Sequence, residues 1–160
     1  MNFNSLYNLL EESNSNKIIN SIKYLNDFSD KSLSGGNCGQ STYALYKFLS
    51  DNYDIHLNIG VISNNYIENE NELIMGEPDI YHMFLVDEND MMYDETGIID
   101  SDYLLDLAET QYGESSPSYF VFNMPEEEKK ILQIIRTQTN YNIDWQYFHN
   151  FLSFRIKGIA

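Results

Sequence analysis

Ser34-Gly35-Gly36-Asn37-Cys38-Gly39-Gln40-Ser41-Thr42-Tyr43-Ala44-Leu45 places the chain's only cysteine where a loop becomes a helix. Gly35 and Gly36 permit a sharp turn of the backbone, and Asn37 is a favoured N-cap residue. Leu45, Phe48 and Leu49 then follow at helical spacing. The pattern predicts a helix over about 38–51 with Cys38 in its first turn. There the unpaired backbone N–H groups and the positive end of the helix dipole favour a thiolate, and they can hold a developing oxyanion. A lone cysteine also packs as a small apolar side chain, and Cys38 shares a helical stripe with Leu45. The glycine-rich approach, together with a histidine and an aspartate downstream, favours the nucleophile.

That histidine is His82. Ile80-Tyr81-His82-Met83-Phe84-Leu85-Val86 is apolar on both faces except at His82, which predicts a central strand interrupted by one imidazole. A thiol nucleophile needs such a base within hydrogen-bond reach, and the base needs a third group that fixes its tautomer and supports its charge. His56, at the start of the first strand, and His149, in the tail, read as packing or surface residues. The third group follows from strand parity. If Asp87-Glu88-Asn89 close a hairpin with Asn89 left-handed, Val86 pairs with Asp90 and Asp94 falls directly opposite His82. If Glu88-Asn89 alone form the turn, the register moves by one and Glu95 takes that place. The three-residue turn is the preferred reading, and Asp94 with it.

Around this core, Phe3, Leu6, Leu9 and Leu10 form one helical stripe and Ile18, Ile19, Ile22, Leu25 and Phe28 another, with a break at Ser13-Asn14-Ser15-Asn16. A strand is predicted from Ile55 to Ile62, followed by a polar loop from Ser63 to Asp79 long enough to overhang the site. Met91 to Asp94 starts the returning strand. Asp100 or Ser101 caps a helix carrying Leu104, Leu105, Leu107 and Ala108, which Gly113 stops. Ser118 to Asn123 reads as a strand. Pro125 with Glu126, Glu127 and Glu128 reads as the start of a helix bearing Ile131, Leu132, Ile134 and Ile135. The tail around Trp145, Phe148 and Leu152 reads as a helix passing into a short strand. The 160 residues form one domain: a helical part over 1–33, the cysteine helix and sheet over 34–123, and a helical part over 124–160.

Net charge is −16 and unevenly spread. No Lys or Arg occurs between Phe48 and Glu128, a span that carries 20 of the 25 Asp and Glu residues. Such a surface repels nucleic acid and anionic membranes, which are bound chiefly through Lys and Arg, and it favours cationic partners. One cysteine excludes an internal disulfide framework. No apolar run is long enough to span a bilayer, and Met1-Asn2-Phe3-Asn4-Ser5-Leu6 lacks a basic leader, so the expectation is a soluble, cytoplasmic protein. No metal or other cofactor is expected, because one cysteine and scattered histidines make no ligand set.

Cys38 at a helix start, His82 on a strand and Asp94 on the next resemble the papain-like and transglutaminase-like cysteine hydrolase superfamily. The matching pieces are Gly36-Asn37-Cys38-Gly39 with Ala44-Leu45, Tyr81 to Val86, and Met92-Tyr93-Asp94-Glu95-Thr96-Gly97, within about residues 34–97. The resemblance implies an α+β fold with the cysteine helix packed on an antiparallel sheet, and acyl transfer at a Cys–His–Asp site. Cys38 would be nucleophile, His82 general base and then acid, and Asp94 the orienting group. The glutamine that papain-like enzymes place before the cysteine is absent; Asn37 and the Cys38 backbone N–H are its substitutes as oxyanion donors. No single family is assigned. The function implied is an amide or isopeptide hydrolase or acyl transferase, of peptidase or deamidase type, acting on a cationic protein or peptide. Two alternatives stand beside it: an acidic interaction protein that imitates phosphate charge toward a basic partner, and the same fold with an inactive site. Oligomeric state is not readable from the sequence.

Overall fold

The apolar stretch around His82 forms the middle of a sheet, as its want of a polar face predicts. The computed structural model describes residues 14–23, 38–64 and 80–138. Residues 14–23 form helix α1, and Cys38–Tyr53 form α2. The strands are β1 (Leu57–Ser63), β2 (Ile80–Asp87), β3 (Met92–Asp94), β4 (Gly97–Ile99) and β5 (Ser118–Phe122). Helix α3 (Ser101–Tyr112) lies between β4 and β5, and α4 (Glu128–Gln138) follows β5. The fold is α+β, with four helices among the described residues and one antiparallel five-stranded sheet in the order β4-β3-β2-β1-β5.

Alternation along the strands divides the core into two layers. Leu57, Ile59, Val61, Met83, Leu85 and Tyr93 face one side, where α1, α2 and α4 cover them with Ile18, Ile22, Phe48, Leu49, Ile131 and Ile134. Ile62, Phe84, Val86 and Ile99 face the other side, against Leu104 and Ala108 of α3. The sheet is therefore buried on both faces, which explains why β2 reads as an almost continuous apolar run. Gly60 on β1 pairs with Phe84, and a Cβ there would collide with the Phe84 ring. The missing side chain lets that ring, fully buried, lie across β1.

The cap of α3 forms as expected: the Asp100 carboxylate accepts from the Tyr103 N–H at 2.8 Å, and Gly113 ends the helix at φ 68°. Three other expectations need correction. Residues 14–16, expected in a break, are helical, and Ile18 and Ile22 are buried as their stripe requires. Pro125 does not open α4; 124–127 is a turn in which Glu127 N–H donates to the Asn123 carbonyl, and the helix begins at Glu128. The tight turn at Glu95-Thr96 creates β4, a strand not anticipated, through the pair Asp94–Gly97. The glycine at 97 is the local signal that was available for it, and its φ of 113° is one that residues with a side chain rarely adopt. The expected N-terminal stripe over 3–10, most of the 63–79 loop and the tail beyond 138 lie outside the described residues.

The β2–β3 hairpin also departs from expectation. Asp87 N–H donates to the Met91 carbonyl, so Glu88-Asn89-Asp90 form the turn, and Asp90 rather than Asn89 takes the left-handed position at φ 63°. The cause is the Asp87 side chain, whose Oδ1 accepts from the N–H groups of both Asn89 and Met91. Leu85 consequently pairs with Tyr93 and Val86 with Met92. The register has moved by two residues, and a shift of two preserves the face of every side chain.

Candidate functional site

His82 and Asp94 meet. His82 Nε2 lies 2.8 Å from Asp94 Oδ2, with side-chain exposures of 6% and 0%. Asp94 is not directly opposite His82; the Leu85–Tyr93 register sets it beside Phe84, so the contact is a diagonal one across the ladder. Asp94 is held from several sides. Its Oδ1 accepts from the backbone N–H of Thr96 at 2.8 Å and from the Thr96 hydroxyl at 2.5 Å. Tyr103 of α3 stands near the same carboxylate, whose charge acts on its hydroxyl.

Burial alone would push the Asp94 carboxyl up, but the hydrogen bonds from His82 and Thr96 together outweigh it and hold the group below its ordinary 3.8. Asp94 is thus ionised at neutral pH and can only accept, so His82 Nε2 carries the proton. In the neutral imidazole, Nδ1 is then the basic nitrogen. The Tyr103 hydroxyl is pushed up to about 12, by burial first and then by the Asp94 charge. The other candidate, Glu95, does not replace Asp94 but adjoins it: Glu95 Oε2 is 3.9 Å from His82 Nε2. Burial and the neighbouring Asp94 charge raise the Glu95 carboxyl.

The His82 ring lies against Phe84, with centroids 6.3 Å apart, and Tyr103 stands edge-on at 6.4 Å. Its side chain therefore occupies the α3 face of the sheet. Helix α2 packs on the opposite face, and its first turn meets β2 one residue further on. The Thr42 hydroxyl donates to the Met83 carbonyl, and Gly39 sits so close to Met83 Sδ and Ile135 that a Cβ would be tight at 3.0 and 3.2 Å. Cys38 begins this helix, as expected. Its side chain, and Asn37 altogether, lie outside the described residues. His56 is exposed in the loop before β1, and His149 lies outside the described residues.

Sequence reasoning passed over Thr96, Tyr103 and Gln40. Thr96 follows Asp94 at the spacing of a side-chain-closed turn, a signal present in the sequence. Tyr103 had no such signal, because only the packing of α3 brings it to Asp94. Gln40, in the first turn of α2, is 3% exposed, and its Oε1 has no hydrogen-bond partner among the described residues. A buried polar atom of that kind is uncommon and marks a place where a ligand group can bind. His82, Asp94 and Glu95 also offer ligand atoms within 4.8 Å of one another, a set able in principle to approach a metal ion, although His82 Nε2 is engaged by Asp94. Among the described residues no helix is long and apolar enough to cross a membrane. Compared with protein-family models, curated proteins and solved structures, the chain finds no match.

Proposed function

We propose that the chain is a cysteine-dependent amide or isopeptide hydrolase, or an acyl transferase of the same chemistry, with a papain-like or transglutaminase-like arrangement. The observation that carries this reading is the buried 2.8 Å pair of His82 Nε2 and Asp94 Oδ2, one residue along β2 from the point where the first turn of the Cys38 helix rests. The β2–β3 ladder joins Leu85 and Val86 to their partners and ends before His82, because β3 turns away at Glu95-Thr96. That side of β2 is the approach this reading assigns to the Cys38 thiol.

In the reaction, His82 Nδ1 takes the Cys38 proton and the thiolate attacks the substrate carbonyl. Asp94 stabilises the imidazolium. The backbone N–H groups at the start of α2 hold the oxyanion, with Asn37 beside them. The imidazolium then protonates the leaving amine, and water or a second amine releases the acyl group from sulfur. The acidic surroundings make a cationic protein or peptide the favoured substrate.

The deciding experiment is the rate of Cys38 alkylation against pH, in the native protein and in His82→Ala, with urea melts to show that both are folded. Fast alkylation persisting below neutrality and lost in His82→Ala supports the coupled pair. A single rise toward about pH 8.5 in both proteins overturns it.

A second reading, an acidic protein binding a basic partner, is favoured by one observation: Asp102, Asp106 and Glu109 are all exposed on α3. A salt-sensitive complex with a basic protein, unchanged by Cys38→Ala, would support it.

A further inference from the structure

Alternation along β2 breaks once, immediately before His82. Ile62 of β1 pairs with His82 and Ser63 with Ile80, so Tyr81 is the extra residue of a β-bulge. The faces follow from it. Ile80 packs into the α2 layer, whereas Tyr81 packs into the α3 layer, where the His82 ring lies against Phe84. Two consecutive side chains thus turn toward α3.

The bulge carries Tyr81 to the end of α3, where it stacks on Tyr112, the last residue of that helix, with ring centroids 4.2 Å apart and planes 16° apart. Tyr112 is nonetheless 49% exposed. One face of its ring is fixed by Tyr81 while about half of the residue stays in solvent, so the ring is a held platform and not a loose surface side chain. The face of an aromatic ring is negative and attracts a cation placed over it.

Two further features give the place the same sign. Glu109 precedes Tyr112 by three residues, the spacing at which side chains on a helix are neighbours, and it is exposed. The last turn of α3 carries no basic residue, so nothing within the helix offsets the negative end of its dipole. Asp102, Leu105, Glu109 and Tyr112 form an exposed stripe at helical spacing, about 15 Å long at 1.5 Å per residue.

We propose that this outer face of α3 docks an arginine of a basic protein partner, its guanidinium lying flat on the Tyr112 ring and pairing with the Glu109 carboxylate. Arginine fits better than lysine. A planar guanidinium stacks on an aromatic ring and keeps its N–H fork for the carboxylate, whereas an ammonium is a strongly hydrated point charge. Leu105 and Asp102 extend the surface toward an apolar and a second basic side chain of the same segment. The proposal deepens the acidic-partner reading, on which it rests, by naming the surface and the group recognised; it needs neither the Cys38 thiol nor hydrolysis.

The test records the tyrosine ring resonances by NMR in the full chain carrying Cys38→Ala, so that no peptide is turned over. The probes are acetylated, amidated Gly-Arg-Gly, Gly-Lys-Gly and Gly-citrulline-Gly; citrulline has the shape of arginine without its charge. The arginine peptide is expected to shift the Tyr81 and Tyr112 rings at about one fifth of the concentration the citrulline peptide needs, with the lysine peptide between them. Glu109→Gln should weaken the arginine peptide about threefold, and Tyr112→Leu should erase its advantage over citrulline. Both positions are exposed, and urea melts check that both variants are folded. Equal binding of the arginine peptide and either of the others, no shifts, or shifts untouched by Tyr112→Leu overturn the assignment. A salt-sensitive complex with a basic protein that persists in Tyr112→Leu keeps the acidic-partner reading and removes this surface from it. Shifts as expected with no such complex keep the arginine site and remove the protein partner.

Discussion

His82 and Asp94 are bonded at 2.8 Å although they are not ladder partners; the ladder sets Asp94 beside Phe84, and the two side chains meet along the diagonal. The contact survives because the Thr96 N–H and hydroxyl pull Asp94 Oδ1 one way and leave Oδ2 facing the imidazole. This geometry governs the pH behaviour of the protein.

Stability should fall in acid through Asp94. Its carboxyl is lower in the folded protein than the ordinary 3.8. A carboxyl depressed on folding stabilises above its unfolded pKa, and that contribution is lost as pH falls through the folded value. Urea unfolding should therefore show a decline beginning below about pH 4, and Asp94→Asn should flatten that limb. An unchanged acid limb in Asp94→Asn would refute the assignment.

Glu95 should act in the opposite sense. Burial first, then the Asp94 charge, raise its carboxyl above the ordinary 4.5. A raised carboxyl destabilises the fold as pH climbs through the folded value, so the native side chain is a burden at neutrality. Glu95→Gln is expected to be more stable than the native protein at pH 7 and to match it in strong acid, as read by thermal melts at the two pH values.

Thr96→Val removes the hydroxyl that donates to Asp94 Oδ1 at 2.5 Å while keeping the size of the side chain. Losing one hydrogen bond to a charged group should cost about 1.5–3 kcal/mol. It should also move the acid limb to higher pH, because Asp94 is then less well held as an anion.

Gly60→Ala should be destabilising by about 1–3 kcal/mol in chemical denaturation, because the added Cβ meets the Phe84 ring, which is fully buried and cannot withdraw. The same change at Gly39 meets Met83 Sδ and Ile135 Cγ1 at 3.0 and 3.2 Å, and flexible methionine gives way more easily. Gly39→Ala is therefore the milder of the two.

Local chemistry made much of this protein legible from residue order. The N-cap at Asp100, the stop at Gly113, the central position of β2 and the start of α2 at Cys38 each depend on neighbours in sequence, and each is found where expected. The pairing of His82 with Asp94 was reached through a hairpin register that proved two residues wrong. It survived because strand alternation has period two, so an even slip leaves both side chains on the same face.

Contacts among elements distant in sequence required the fold. That Tyr103 of α3 stands edge-on to His82, and that the Phe84 ring crosses the glycine of a neighbouring strand, follows from packing and not from spacing. Sequence determined which residues turn, cap and alternate, because those preferences act over a few bonds. Tertiary structure alone decided that the histidine face of the sheet lies under α3, since a helix chooses its face by the surface it buries.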